Sequence, residues 1–269
     1  MVQIPVTVAD RDSRPAAGLK QDNFLIFENG REQQITTVDN EDAFVSIGIL
    51  LDLSGSMAPK LAAERYAVLQ FIRWANPRDE FFLVGFDEQP KLIADFSSSE
   101  AELEAGLANA QPGHRTALLD AIDFGLEKMK AAQNQRKVLL VISDGGDNGS
   151  HRSEGKLLDE IRKSDVEIDS IAVVDKYALT LEERESTQVI EDLSRESGGL
   201  LIRVENPNQW GPAAETISKL LRHQYVIGYK PRDLTHDGKW RKVKVKVNSL
   251  PGMTPLSVYA RSGYYAPSQ

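Results

Sequence analysis

The stretch Phe44-Val-Ser-Ile-Gly-Ile-Leu-Leu-Asp52-Leu-Ser54-Gly-Ser56-Met57 decides the fold of this chain of 269 residues. Its apolar run is rich in branched side chains and has no polar face, which is typical of a strand buried on both sides. Such strands belong to parallel sheets covered by helices, and ligands bind at their carboxyl ends. The turn that follows the run, from Asp52 to Ser56, offers only oxygen ligands, which suit a hard divalent cation.

Strand and helix patterns alternate after this stretch, as far as residue 222. The alternation predicts an α/β fold with a doubly wound, mostly parallel six-stranded sheet and helices on both faces. In the common strand order 3-2-1-4-5-6, the first and fourth strands flank the ligand-binding crevice. Trp74 and Trp210 lie on apolar helical faces, and we expect both in the core. The further strands are predicted at 81–86, 91–96, 137–142, 167–174 and 199–204, and the helices at 61–74, 98–109, 116–132, 153–163, 182–196 and 208–222.

The two ends of the chain contain strand and turn patterns without a convincing helix. Residues 2–8 alternate apolar and polar side chains, with Pro5 favouring an edge strand. Asn29-Gly30 predicts a hairpin turn between two further strands. Each end is too small to bury a core alone. We therefore expect the ends to pack together as one small all-β sandwich-like domain.

The α/β domain is then an insertion between two strands of the β domain. The predicted division is 1–42 for the first part of the β domain, 43–222 for the α/β domain and 223–269 for the second part of the β domain. Charge supports the second boundary, because residues 222–269 hold nine Lys or Arg and only two acids in a chain of net charge −8.

Composition narrows the partners and the compartment. The acidic main body argues against nucleic acid as a partner. No apolar run reaches the ~18 residues of a membrane-spanning helix, and the absence of cysteine excludes disulfides and thiolate metal sites. No signal peptide precedes Val2. We expect a monomer that is exported to the periplasm, the cell surface or the medium, with its export signal removed from this chain.

Three loops carry the residues that suit a metal. The first holds Asp52, Ser54 and Ser56, the second holds Thr116 before a helix, and the third holds Asp144 after the fourth strand of the α/β domain. In a doubly wound sheet these loops converge at one crevice. Two carboxylates and three hydroxyls, with no soft ligand nearby, fit Mg²⁺, Mn²⁺ or Ca²⁺ rather than zinc or copper.

This set resembles the metal-ion-dependent adhesion site of the von Willebrand factor type A (VWA) family, over residues 44–222. The resemblance implies that Ser54, Ser56 and Thr116 are direct ligands and that Asp52 and Asp144 act largely through water. It also implies a non-enzymatic module for adhesion or assembly, whose metal completes its coordination with an Asp or Glu of a partner protein. The flanks resemble bacterial VWA-related proteins in the segments Asp10 to Gly30, Tyr225 to Tyr229 and Arg261 to Pro267.

Other interpretations of the same residues stay open at this point. The metal could serve only to stabilise a scaffold domain. A metal-dependent hydrolase is less well supported, although His114 and His151 lie on loops next to the predicted site. A phosphatase of the haloacid dehalogenase type would need a second carboxylate where Ser54 stands. Asp87 and Asp147 are interpreted as rim or capping acids.

Overall fold

A six-stranded sheet and two four-stranded sheets form the framework of the protein, in a computed structural model that describes residues 1–40, 43–174, 181–248 and 255–268. The strands are β1 Val2–Ala9, β2 Phe24–Glu28, β3 Arg31–Gln33, β4 Ile35–Asn40, β5 Val45–Asp52, β6 Glu80–Phe86, β7 Pro90–Ser97, β8 Arg136–Ser143, β9 Val166–Val173, β10 Leu201–Val204, β11 Tyr225–Tyr229, β12 Trp240–Val247, β13 Ser257–Ala260 and β14 Gly263–Tyr265. The α-helices are α1 Leu61–Trp74, α2 Glu100–Ala108, α3 Leu118–Lys128, α4 Glu154–Lys163, α5 Leu181–Ser197 and α6 Trp210–Arg222.

The central sheet has the strand order β10-β9-β8-β5-β6-β7. All neighbouring strands in it are parallel except β6 and β7, which are antiparallel. This is the predicted order 3-2-1-4-5-6, and it confirms the α/β class. Every residue of β5 is buried, because the strand lies between β6 and β8 and both faces of the sheet are covered by helices.

The helices divide between the two faces of the central sheet. Side chains of α1, α2 and α6 pack with one set of β5 residues, which includes Ile47, Ile49 and Leu51. Side chains of α3, α4 and α5 pack on the opposite face, where Leu50 lies. The alternation follows from the pleat of a strand, which points successive side chains to opposite faces. Ser99 caps α2, since its hydroxyl accepts from the backbone N–H of Glu102.

The two ends of the chain form the two antiparallel sheets together. One has the order β13-β1-β11-β4 and the other the order β14-β12-β2-β3. Both sheets therefore combine strands from before and after the α/β part. Asn29 and Gly30 have φ angles of 48° and 79°, which confirms the hairpin turn between β2 and β3. A third apolar cluster, distinct from the two of the central sheet, fills the space between these strands.

These sheets bear out the expectation that the α/β fold is inserted in a small all-β unit made by both ends. The division of the chain at 42 and at 222 stays a prediction. Its first boundary falls at residues 41–42, which lie outside the described part of the chain.

Two expectations about single residues were wrong. Trp74 is 50% exposed, whereas Trp210 is buried as expected. Trp74 is the last residue of α1, and its ring lies under the Lys219 ammonium at 5.3 Å. Pro5 does not mark an edge strand, because β1 pairs with β11 on one side and β13 on the other. Proline is tolerated there because β13 pairs only with the segment that begins at Val6.

Polar side chains join the β unit to the amino end of the central sheet. The Gln224 amide donates to Glu167 Oε2 at 2.8 Å and to Thr7 Oγ1 at 3.1 Å. The Arg261 guanidinium donates to Asp165 Oδ1 at 2.8 Å and also reaches carbonyl oxygens at the end of α4. This junction lies at the edge of the sheet opposite to the carboxyl ends of the parallel strands.

A glycine in the central strand tests the packing of the sheet. A Cβ on Gly48 would lie 2.6 Å from Phe82 Cε1 and 2.7 Å from Leu139 Cδ2. Both neighbours are fully buried, so we expect Gly48→Ala to lower the free energy of unfolding by about 1–3 kcal/mol. Gly155→Ala on α4 is the matched control, because nothing lies within 4 Å of its Cβ position. Urea denaturation of both variants checks this, and equal stability of the two would contradict the tight packing.

Candidate metal centre

The centre begins where β5 ends. Asp52 is the last residue of the strand and is fully buried. Its Oδ1 accepts from the backbone N–H of Ser54 at 2.9 Å, so the carboxylate itself shapes the turn. The hydroxyls of Ser54 and Ser56 lie 3.1 Å apart. Ser54 is buried and Ser56 is exposed, so the cluster of oxygen atoms opens to solvent at Ser56.

A serine on the neighbouring strand holds the other side of the carboxylate. Ser143, the last residue of β8, donates from Oγ to Asp52 Oδ2 at 2.5 Å. The same Oγ accepts from the N–H of Gly145 at 2.9 Å. Gly145 has a φ of 91°, a conformation that favours glycine, and the chain turns there after Asp144.

Burial raises the pKa of Asp52 to about 6, against the lowering effect of the hydrogen bonds from Ser143 and Ser54. The charge of Asp144 raises the same pKa further. The two predicted carboxylates therefore lie close enough to repel one another. Within the described residues Asp52 forms no ion pair.

The loop with Thr116 is tied to its neighbours by backbone hydrogen bonds. The N–H of Gly113 donates to the carbonyl of Leu53 at 2.6 Å, and the carbonyl of Thr116 accepts from the N–H of Gly149 at 2.9 Å. The loop is thus fixed between the loops that follow β5 and β8. Thr116 is 4% exposed. Its hydroxyl forms no hydrogen bond with the other predicted ligands in the part of the chain that the structure describes.

Asp144 faces an ammonium group. Lys60 Nζ lies 3.4 Å from Asp144 Oδ2, and the two side chains are 29% and 16% exposed. Lys60 ends a short 3-10 turn that leads from the serine loop into α1. All five predicted ligands thus lie at one edge of the sheet. Asp52, Ser54 and Ser56 are in direct contact. The loop of Thr116 is bonded to the loops after β5 and β8, and Asp144 directly follows β8.

Three residues around the centre were not predicted from the sequence as part of the site: Lys60, Glu64 and Ser143. Glu64 is fully buried, with Oε1 3.2 Å from the N–H of Asp52 and Oε2 without a hydrogen-bond partner. Burial raises the pKa of Glu64 well above its usual value, and the charge of Asp52 adds to this. A signal was present, because Glu64 interrupts the apolar stripe of α1 that contains Leu61 and Val68.

These residues suit a metal ion in their chemistry. All the ligand atoms are hydroxyl or carboxylate oxygens, which hard divalent cations prefer. Among the described residues, no group of three or more His, Asp or Glu side chains could hold a metal, so the hydroxyls would have to take part. Glu64 Oε2 is buried without a hydrogen-bond partner, and a cation nearby would favour the charged form of this carboxyl group.

Four further polar residues of the sequence analysis lie on the loops around the centre. Asp87 binds the Lys91 ammonium at 2.8 Å, and Asp147 Oδ1 accepts from the N–H of Leu118 at the start of α3. His114 is exposed. The His151 ring lies 3.2 Å from Asp120 Oδ2 with its side chain 88% exposed. Asp147 thus has the capping contact that we expected of it.

Family comparison agrees with this geometry. Residues 47–146 match the family model described as the von Willebrand factor type A domain. The α/β part of this chain is therefore similar to VWA domains over these residues. The match includes all five predicted ligands, from Asp52 to Asp144. No curated protein matches the chain.

Solved structures with the same fold come from bacteria and from an animal. A von Willebrand factor type A protein from Catenulispora acidiphila is similar over 96% of this chain and 74% of its own, with a TM-score of 0.57 and 13% identity. Proximal thread matrix protein 1 from the mussel byssus, in a structure with a zinc-occupied MIDAS motif, is similar over 72% of this chain and 49% of its own, with a TM-score of 0.57 and 16% identity. The vWF domain of the type V pili tip protein Mfa5 from Porphyromonas gingivalis is similar over 66% of this chain and 95% of its own, with a TM-score of 0.55 and 12% identity. At these identities the likeness shows the fold alone.

In the described part of the chain, no helix combines the length and the apolar character needed to cross a membrane.

The raised pKa of Asp52 predicts a pH effect on stability in EDTA. The carboxyl binds its proton more tightly in the folded state, at a pKa of about 6, than at its ordinary value of 3.8. Its contribution to the free energy of unfolding therefore falls as pH rises through this range and is at its lowest above pH 6. We expect Asp52→Asn to gain stability relative to wild type by up to about 3 kcal/mol between pH 4 and pH 7.

Asp95→Asn is the control for this measurement. A hydrogen bond from Lys128 lowers the pKa of Asp95, so its carboxylate contributes stability that is present above the ordinary pKa and is lost on acidification. The stability of this variant relative to wild type should therefore change with pH in the opposite direction. Urea denaturation across the pH range measures both differences, and parallel curves for Asp52→Asn and wild type would contradict the assignment.

Proposed function

We propose that this chain is a divalent-metal-dependent protein-binding module, used for adhesion or assembly. The observation that supports it most is the oxygen cluster at the end of β5, where the Asp52 carboxylate lies buried beside the paired hydroxyls of Ser54 and Ser56. A buried carboxylate is costly unless a positive charge or hydrogen bonds compensate it. A cation at this edge would supply the charge, and Ser56 leaves the cluster open to solvent.

In this proposal the three hydroxyls of Ser54, Ser56 and Thr116 contact the metal directly. Asp52 and Asp144 contact the metal largely through bound water. The bound metal supplies an electrophilic position that accepts a carboxylate oxygen from an Asp or Glu of the partner. Ser54 and Thr116 are buried and so hold their hydroxyls in place, whereas Asp144 completes the set from the loop after β8.

Mg²⁺ and Mn²⁺ are the metals that we propose first, with Ca²⁺ as the further candidate, because the ligand atoms are all oxygen. The mussel relative carries zinc at its MIDAS motif. That finding supports metal binding at this position of the fold and leaves the choice of metal for this chain to experiment.

Side-chain placement favours binding over hydrolysis. A hydrolase built on His151 would need a nucleophile or a bound water oriented by that ring. In the described residues the His151 ring contacts the Asp120 carboxylate and is otherwise exposed. His114 is exposed as well and forms no described side-chain contact. Among the described residues, neither histidine is hydrogen-bonded to a serine or threonine hydroxyl.

We also propose that the module acts outside the cytoplasm, as a monomer. Two structures with this fold come from a pilus tip and from mussel byssus. The chain has no cysteine, so its fold needs no disulfide in an oxidising compartment. The partner that we propose is a protein that offers an exposed acidic side chain.

Replacement of Thr116 tests the metal proposal. We expect MgCl₂ or MnCl₂ to raise the melting temperature of wild type, because a ligand at a hundred times its Kd stabilises the folded state by about 2.7 kcal/mol. Thr116→Val, which keeps the shape and removes the hydroxyl, should lose this shift. Thr116→Ser, which keeps the hydroxyl, should retain it. An equal shift in both variants, or none in wild type, would refute the ligand role of Thr116.

The open coordination position has its own test. Water proton relaxation reports how many water molecules are bound to protein-held Mn²⁺. We expect the C-terminally amidated peptide Gly-Gly-Asp-Gly-Gly to lower the relaxation enhancement as its side-chain carboxylate replaces a water. The matched amidated peptide Gly-Gly-Asn-Gly-Gly, which has no carboxylate, should leave it unchanged. A response to neither peptide in Mn²⁺-loaded protein would favour the scaffold interpretation, in which the metal only stabilises the fold.

A further inference from the structure

Lys60 places a positive charge next to a site that would bind a cation. Its Nζ lies 3.4 Å from Asp144 Oδ2, in a partly buried setting. Among the described residues, no other ammonium or guanidinium group forms an ion pair with the five predicted ligands. Lys60 therefore supplies the positive charge that lies next to the carboxylates of the centre.

The surroundings explain why a positive charge is favoured there. Three carboxyl groups lie around this position. The N–H of Asp52 donates to Glu64 Oε1 at 3.2 Å, and Asp144 directly follows β8, the strand that pairs with β5. Glu64 Oε2 is buried without a hydrogen-bond partner. Neighbouring carboxylates repel one another, and the Lys60 ammonium beside Asp144 reduces this repulsion.

The backbone keeps Lys60 close to the centre while its side chain remains free to move. The N–H of Lys60 donates to the carbonyl of Met57 at 2.8 Å, directly after the serine loop. Lysine carries its charge on a flexible stem of four carbons. The ammonium can therefore withdraw into solvent without any change in the backbone, and it stays near Asp144 at a high local concentration.

We propose that Lys60 is a tethered cation that competes with the divalent metal for Asp144. This inference rests on the proposed function, because it assigns a competitor to the same centre. Without metal, the Lys60 ammonium pairs with the Asp144 carboxylate and stabilises the folded chain. When a metal enters, the ammonium leaves Asp144, and this exchange lowers the affinity for the metal.

The test compares Lys60→Met with Lys91→Met. Both variants lose one positive charge, and Lys91 lies near the same edge, where it pairs with Asp87 and is 67% exposed. Mn²⁺ affinity is measured by electron paramagnetic resonance of the free ion, and the melting temperature is measured in EDTA. We expect Lys60→Met to bind Mn²⁺ about two- to fivefold more tightly than wild type. We also expect it to melt about 2 °C lower in EDTA.

Lys91→Met should match wild type in Mn²⁺ affinity. Equal or weaker Mn²⁺ binding by folded Lys60→Met, with wild type binding normally, overturns the competition and leaves the proposed function intact. Binding by Lys60→Met but not by wild type supports it strongly, since the lysine then blocks the centre. Binding by neither overturns both proposals. Circular dichroism in EDTA confirms that each variant is folded, and Lys60→Gln repeats the test if Lys60→Met fails to fold.

Discussion

The buried carboxylate of Asp52 is the constraint on which the metal centre depends. Removing a carboxylate from water costs free energy unless hydrogen bonds or opposite charge compensate it. Here the compensation comes from the turn itself, through the N–H of Ser54, and from Ser143 on the next strand. Asp52 can be held this way only if β8 lies beside β5, so the strand order and the site geometry determine one another.

The sequence allowed most of this arrangement to be predicted. The apolar run before Asp52 has the length of a strand, and the regular alternation that follows it leaves few topologies to consider. Asp52, Ser54, Ser56, Thr116 and Asp144 all follow strands or precede a helix, so their convergence follows from the order of the strands. Asn29-Gly30 was equally informative, because few dipeptides tolerate the backbone conformation of that turn.

The site residues that were not predicted from the sequence owe their roles to contacts between helices and strands. Ser143 became important only because β8 pairs with β5, and a serine at the end of a strand has no distinctive pattern of its own. Glu64 and Lys60 look like ordinary charged residues of a helix until their distances to the carboxylates are known. Trp74 misled because helical periodicity does not show where a helix leaves the core, and Pro5 because a strand can be paired along only part of its length.

The inserted topology has a mechanical consequence. The two ends of the α/β part, at Ala43 and Arg222, lie together at the amino end of β5. There Asn40 of β4 pairs with Tyr225 of β11, and Arg222 Nη1 reaches the carbonyl of Ala43 at 3.4 Å. The metal edge is at the other end of the central strand. A tensile load between a partner held at that edge and the rest of the molecule would therefore pass along the sheet and be shared by two parallel connections.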